Sequence, residues 1–285
     1  MRAYPMTRAA REGDKPALLA LWREAFGDAD GDVAAFFDCW YAPERTAVAE
    51  RDGALAAAGY LLPVGALVPP DGHRTPCAMI YGVAAFTAHR GHGCGARVTA
   101  ELAANARALG FPVTVLRPAE DSLFAFYSGK TDFQTCFYAL EETYAAAPAQ
   151  KNGVTLAPAP PEAYREAREA RLQGLRHIDM DARALAYQAR VCGETGGLFL
   201  LKRGGETLGC AVAERRDGCA AVKELLAPDG ARGGALAAIA DALSAERCLV
   251  RRPGAAKDGA RRFGMAVGAA PCPPDGVAWD GLAFD

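Results

Sequence analysis

The sequence predicts a mixed α+β fold of two tandem domains, each a mostly antiparallel sheet flanked by helices, with the second a weaker copy of the first. Three observations predict it. The chain has 285 residues, 51% of them hydrophobic, enough for two modest cores. Residues 145–161 collect Pro, Gly and Asn between two patterned regions, as a domain boundary does. On both sides of that stretch, helical and strand periodicities succeed one another in the same order. The expected domains are therefore 1–147 and 148–285.

In the first domain, Gly13-Asp14-Lys15-Pro16 supplies a cap and an early proline, and the apolar spacing that follows predicts a helix to about Phe26. A second short helix is expected over 32–41. Strands are expected over 46–50 and 54–62, joined by Arg51-Asp52-Gly53, and over 77–84 after the turn Pro69-Pro70-Asp71-Gly72. Val98, Leu102, Ala106 and Leu109 recur at helical spacing, predicting a helix over 96–109 that stops at Gly110. A strand over 113–117, a short helix over 121–128 and a last strand over 133–140 complete the order α-α-β-β-β-α-β-α-β. The second domain repeats it with helices over 161–173 and 181–192, strands over 198–202, 207–214 and 220–226, a helix over 235–245 and a strand over 248–250.

Composition excludes several function classes. Residues 1–150 carry 13 Lys+Arg against 17 Asp+Glu and the remainder 19 against 17, too little positive charge for bulk nucleic-acid binding. The longest apolar runs, such as 54–68, are broken by Gly and Pro short of the ~20 residues of a membrane span. Met1-Arg2-Ala3-Tyr4-Pro5 offers no apolar signal region, so a cytoplasmic location is expected. The nine cysteines have irregular spacing and no C-x-x-C, which favours buried, reduced thiols over a disulfide scaffold. His89 and His92 have no Cys or carboxylate at ligand spacing, so no metal is expected.

One segment carries chemistry. An apolar strand over 79–84 runs into Arg90-Gly91-His92-Gly93-Cys94-Gly95-Ala96, with glycine at every second position, and this loop opens into a long helix. Glycine lets the backbone approach a ligand closely, and a helix N-terminus adds donors and partial positive charge, so the segment fits an anionic phosphate group. Gly129-Lys130-Thr131 has the tail of a Walker loop, but its first glycine position holds Phe124. Gly91, Gly93 and Ala96 also fit the dinucleotide fingerprint G-x-G-x-x-[GA], with Arg117 available for a 2′-phosphate. That fingerprint needs the first strand of a parallel βαβ unit to enter the glycines directly; here Thr87-Ala88-His89-Arg90 intervene after the third strand of a meander.

Arg90-Gly91-His92-Gly93-Cys94-Gly95 fits [RQ]-x-x-G-x-[GA] and in that setting resembles the acyl-coenzyme-A pyrophosphate loop of the GNAT acetyltransferase superfamily. Phe126-Tyr127-Ser128-Gly129-Lys130-Thr131-Asp132-Phe133 resembles the superfamily's F-Y-x-x-x-G-F segment, with Asp132 in place of the glycine and one residue inserted. Residues 1–145 follow that fold's element order, and the pair of domains is similar to tandem acetyltransferases of the enhanced-intracellular-survival type, the second domain being a degenerate copy. Those usually carry an additional sterol-carrier-like domain, for which this length has no room.

The resemblance implies an N-acetyltransferase moving an acetyl group from acetyl-CoA, a co-substrate, directly to a primary amine. It implies that the backbone of Arg90, Gly91, His92, Gly93, Cys94, Gly95 and Ala96 holds the pyrophosphate, that Val83 and Ala85 offer backbone to the pantetheine arm, and that Tyr127 is the general acid for the departing sulfur. A base is less evident: Glu120 sits in a loop that would reach the acceptor but equally suits helix capping, and Asp285 is a candidate because the terminal carboxylate reaches the cleft in the resembled tandem group. The acceptor is expected to be a small-molecule or peptide amine, with neither nucleic acid nor membrane as a partner and room left for a homo-oligomer. Asp229-Gly230-Ala231-Arg232-Gly233-Gly234 lacks the arginine-to-glycine spacing of the first loop, so the second domain is expected to shape the acceptor site without binding coenzyme. Two other readings stay open: a non-catalytic acyl-CoA-binding regulator and an NADP-linked oxidoreductase.

Overall fold

The computed structural model describes residues 5–145, 152–270, 272–273 and 275–285. The chain forms two compact units that interleave in sequence, whereas a single cut after 147 was expected. Unit 1 comprises Met1–Pro63, Thr75–Thr135 and Gly264–Pro271; unit 2 comprises Val64–Arg74, Cys136–Phe263 and Cys272–Asp285.

In unit 1 the strands are β1 (Met6–Ala9), β2 (Thr46–Arg51), the first part of β3 (Ala54–Val68), β4 (Thr75–Ala85), β5 (Val113–Leu116) and the end of β13 (Arg261–Val267). β1 with β2 and β2 with β3 are antiparallel, β4 with β5 is parallel, and β13 lies antiparallel to β5 with Met265 opposite Leu116. A parallel pair needs a long crossover, and α3 (Cys94–Ala108) provides it. β3 shows which residues face which layer. A Cβ on Gly59 would sit 3.0 Å from Leu102 and Val98 of α3, and Leu61 joins the same core, whereas the intervening Tyr60 packs on Trp22, Phe36 and Phe37. Those three aromatics come from α1 (Lys15–Phe26) and α2 (Asp30–Trp40). The α3 core takes Val98, Leu102 and Ala106 at the expected spacing, together with Ala57, Ile80, Leu116, Phe124 and Phe133.

Unit 2 holds the strand order β6 (Gln134–Ala145), β12 (Arg247–Pro253), β11 (Cys219–Leu226), β10 (Glu206–Arg216), β9 (Gly196–Arg203) and β7 (Thr155–Pro158). The build repeats that of unit 1: β9, β10 and β11 are an antiparallel meander, β11 and β12 are parallel, and α7 (Asp229–Ala242) crosses between them. Helices α5 (Pro161–Leu172) and α6 (Ala182–Val191) precede the meander as α1 and α2 do in unit 1. A small group adds β8 (Arg176–Met180), which pairs antiparallel with the end of β3 at Gly65–Val68 and parallel with β14 (Ala278–Trp279).

The departures from the expected elements have identifiable causes. β1 is Met-Thr-Arg-Ala, too short and too polar to alternate visibly. β3 runs on to Val68 because its last residues have β8 as a partner, which local pattern does not show. β8, Arg-His-Ile-Asp-Met, reads as polar yet its His177 and Asp179 are buried. His177 lies against Glu169 at 3.1 Å and Asp179 accepts two hydrogen bonds from Arg165, 2.8 and 2.7 Å. β6 was expected to finish the first domain but from Cys136 onward belongs to unit 2, antiparallel to β12, while β13 completes the sheet of unit 1. β7 falls inside the expected linker, of which residues 146–151 lie outside the described residues. α7 begins at Asp229 rather than 235, its early glycines not delaying the helix.

Candidate active site

The phosphate-loop candidate sits where β4 leaves β5. Their register runs only from Cys77↔Val113 to Ile80↔Leu116, so Tyr81–Ala85 continue past the parallel pairing as a splayed, half-buried strand. Gly82, within that stretch, has φ +59, and a Cβ there would lie 3.1 Å from Trp22 and from Tyr60. Only glycine fits a left-handed position pressed against two rings, so Gly82 bends β4 at the start of the splay.

Beyond β4, one turn of 3-10 helix over Thr87–His89 leads to Arg90 and the glycines. Gly91 and Gly93 have φ +77 and +78, and nothing lies within 4 Å of a Cβ built on either. Their need for glycine is thus conformational, and both backbones face open space. Gly93 is the N-cap of α3, and its carbonyl accepts the helix's first bond, from Arg97 N–H at 3.2 Å. The amides of Cys94, Gly95 and Ala96 therefore belong to the open first turn, where helix geometry gives N–H groups no carbonyl partner. The helix starts two residues earlier than expected, so Gly95 lies within it rather than in the loop. A Cβ on Gly95 would be 3.9 Å from both Val83 and Phe126. Three elements, β4, α3 and α4 (Asp121–Lys130), thus converge on one point.

The side chains of the loop turn back on it. His92 Nδ1 lies 2.9 Å from the Arg90 carbonyl, and Arg90 Nε donates to the Ala85 carbonyl at 3.3 Å. Of the two strand residues expected to offer backbone to the coenzyme arm, Val83 stands at the convergence, whereas the carbonyl of Ala85 is engaged by Arg90. Cys94 is buried at the head of α3, and burial pushes its thiol up.

Tyr127 lies on α4 in the core of unit 1, 8% exposed, its ring 5.1 Å from Phe126 and 6.5 Å from Phe133. Desolvation pushes its phenol up to about 12, so it holds its proton firmly. The residue inserted after Tyr127 is absorbed at the helix end: α4 runs to Lys130, and the Thr131 amide and hydroxyl both donate to the Tyr127 carbonyl, at 2.9 and 2.5 Å. Gly129 and Lys130 accordingly close a helix and form no phosphate loop. Glu120 is the N-cap residue of α4; its carboxylate accepts from Ser122 Oγ at 2.5 Å rather than from the helix backbone. Asp285 belongs to unit 2, where Arg251 donates to its carboxylate at 3.2 and 2.8 Å. Tyr127, the loop and Val83 are thus gathered in unit 1, with Glu120 at the N-terminus of the same helix as Tyr127 and Asp285 in the other unit.

Residues 6–133 match the family model described as an acetyltransferase (GNAT) domain. Those residues are similar to a GNAT acetyltransferase domain. Solved structures extend the likeness of fold over both units. A GCN5-related N-acetyltransferase from Anabaena variabilis matches with a TM-score of 0.71 and 16% identity over 92% of this chain and 72% of its own. One from Kribbella flavida gives 0.68 and 18%, covering 92% and 71%. Eis1 from Mycobacterium abscessus gives 0.59 and 14%, covering 86% of this chain and 65% of its own. No curated protein sequence matches significantly. The resemblance to a tandem GNAT acetyltransferase therefore stands, and acyl transfer from an acyl-coenzyme A is the chemistry the family supplies. No helix among the described residues is long and apolar enough to cross a membrane.

Sequence reading assigned no role to Gly82, although a lone glycine inside an apolar strand was an available signal, and it marked Phe126 only as the head of the Phe-Tyr segment; its place beside Gly95 depends on the approach of α4 to α3.

Proposed function

We propose that the protein is an N-acetyltransferase that passes the acetyl group of acetyl-CoA directly to a primary amine, with Arg90–Ala96 holding the diphosphate. The observation that carries this reading is the pair of left-handed glycines with open space before them, set against the first turn of α3 beside a splayed β4. An anion at such a helix end is favoured by about 0.3–1 kcal/mol when exposed and up to ~2 when partly buried, from N–H groups that need no rearrangement. Val83, Gly95 and Phe126 suit an apolar wall for the arm that follows the diphosphate.

In the reaction the amine nitrogen forms a bond to the thioester carbonyl carbon, the carbon–sulfur bond breaks, the nitrogen gives up a proton and the sulfur takes one. Tyr127 suits the last step, because a phenol with a raised pKa is protonated across the working pH range. Glu120 and Asp285 remain the carboxylates proposed to receive the amine's proton, and unit 2 is proposed to shape the acceptor pocket in a cytoplasmic enzyme. A small-molecule or peptide amine is the proposed acceptor.

Thiol release from acetyl-CoA over a panel of amines tests the reading. Acceptor-dependent release is the expected result. Thermal stabilisation by acetyl-CoA without any release would leave a coenzyme-binding regulator, and stabilisation by NADPH alone would favour the oxidoreductase.

A further inference from the structure

Helix α1 touches the splayed half of β4 and its exit at two points. Trp22 lies against the bend at Gly82, its indole N–H donating to Asp28 at 2.8 Å. Two residues on, Glu24 reaches the chain just past β4: its Oε1 accepts the Thr87 amide at 2.7 Å. Thr87 begins the 3-10 turn, and its own carbonyl accepts from the Arg90 amide at 3.3 Å, so the bond made by Glu24 lies one turn upstream of the glycines. The two charged groups at this place, Glu24 and Arg90, attract one another.

We propose that Glu24 is a positioning residue for the coenzyme: by holding the Thr87 amide it sets the angle at which the chain leaves β4 for Arg90–Ala96, and this rests on the reading of that loop as the diphosphate grip. The amide of Thr87 begins a short helical turn and has no carbonyl upstream to accept it, so a carboxylate from α1 supplies the partner that local structure does not. Glu24 is exposed and outside the core of unit 1, so its removal changes where the loop points without emptying a packed site. The Trp22 contact at Gly82 fixes the strand below, leaving the segment from Thr87 to Arg90 as the part that Glu24 governs.

The test uses the full chain with Glu24→Ala and Glu24→Gln, measuring coenzyme A binding by isothermal titration and steady-state rates with acetyl-CoA. Loss of one charge-assisted bond predicts that Glu24→Ala raises the Kd and the KM for coenzyme about fivefold to tenfold, with kcat at saturating coenzyme within about twofold. Glu24→Gln keeps an oxygen acceptor and is expected to recover most of the loss, and both variants should melt within about 2 °C of the unaltered protein. Unchanged coenzyme affinity in Glu24→Ala overturns the proposal. So does an equal loss in kcat, or a Glu24→Gln variant as impaired as Glu24→Ala. Failure of the unaltered chain to bind coenzyme A would instead remove the loop's reading beneath it, a result distinguishable from all of these.

Discussion

At the scale of single residues, the site separates positions that need a conformation from positions that need a group. Gly93 needs a conformation: at φ +78 an alanine pays the left-handed penalty of about 1–2 kcal/mol although no neighbour obstructs its Cβ. Gly93→Ala is therefore expected to lower stability by about that amount and to weaken coenzyme binding as the N-cap shifts, read by denaturant unfolding and titration together. Gly95 is the contrast, since its φ is ordinary and its Cβ would make only van der Waals contact. Gly95→Ala should be neutral or slightly stabilising without ligand, so any loss of coenzyme affinity reports directly on space the ligand uses. Tyr127, as the proposed general acid, would need a group. Tyr127→Phe keeps the ring against Phe126 and Phe133 and removes only the hydroxyl. The expected outcome is a fall in kcat of about 10²-fold or more at neutral pH, with coenzyme affinity retained. Full turnover across the pH range would take Tyr127 out of the mechanism.

At the scale of elements, what the sequence made legible were the segments whose own side chains decide their structure. α1, α3, the β2–β3 hairpin and the β9–β10–β11 meander come from local periodicity and Asp-Gly or Gly-Gly turns, and the glycine loop of unit 1 stood out for the same reason. β1, β8, β13 and β14 were missed because partners distant in sequence hold them, and β8 because its charges are satisfied only in three dimensions. α7 is the element of the same kind for which no coenzyme grip is proposed. Only Ala227 and Pro228 separate β11 from α7, and the helix opens on Asp229, whose carboxylate pairs with Arg232. A negative side chain now occupies the dipole end where unit 1 presents bare amides. Titration with coenzyme A should accordingly find one site per chain, and a second site of comparable affinity would overturn the assignment of unit 2 as coenzyme-free.

At the scale of the whole molecule, stability is expected to respond to pH through paired carboxylates more than through the net charge of −2. In unit 2, Arg252 donates to Glu142 at 2.9 and 2.6 Å, Tyr144 adds a bond at 2.5 Å, and together they pull the Glu142 carboxyl down to about 2. A depressed carboxyl stabilises the fold above its unfolded value of 4.5, and that contribution drains away as pH falls through the interval toward 2. Arg252→Leu removes the main cause, so its destabilisation should be largest at neutral pH and shrink on acidification. The deeper pair behaves differently. Arg168, 1% exposed, donates to Glu224, 0% exposed, at 2.9 and 3.2 Å, and Glu224 also receives the Tyr164 hydroxyl at 2.5 Å and the Trp279 indole N–H. Arg168→Met strips a fully buried carboxylate of its counter-ion, which typically costs about 3–5 kcal/mol, a large share of a stability of ~5–15. The companion double variant Arg168→Met with Glu224→Gln leaves no charge stranded and should recover part of that loss. Chemical denaturation at neutral pH measures both, and a single variant as stable as the unaltered protein would show that this network does not hold unit 2 together.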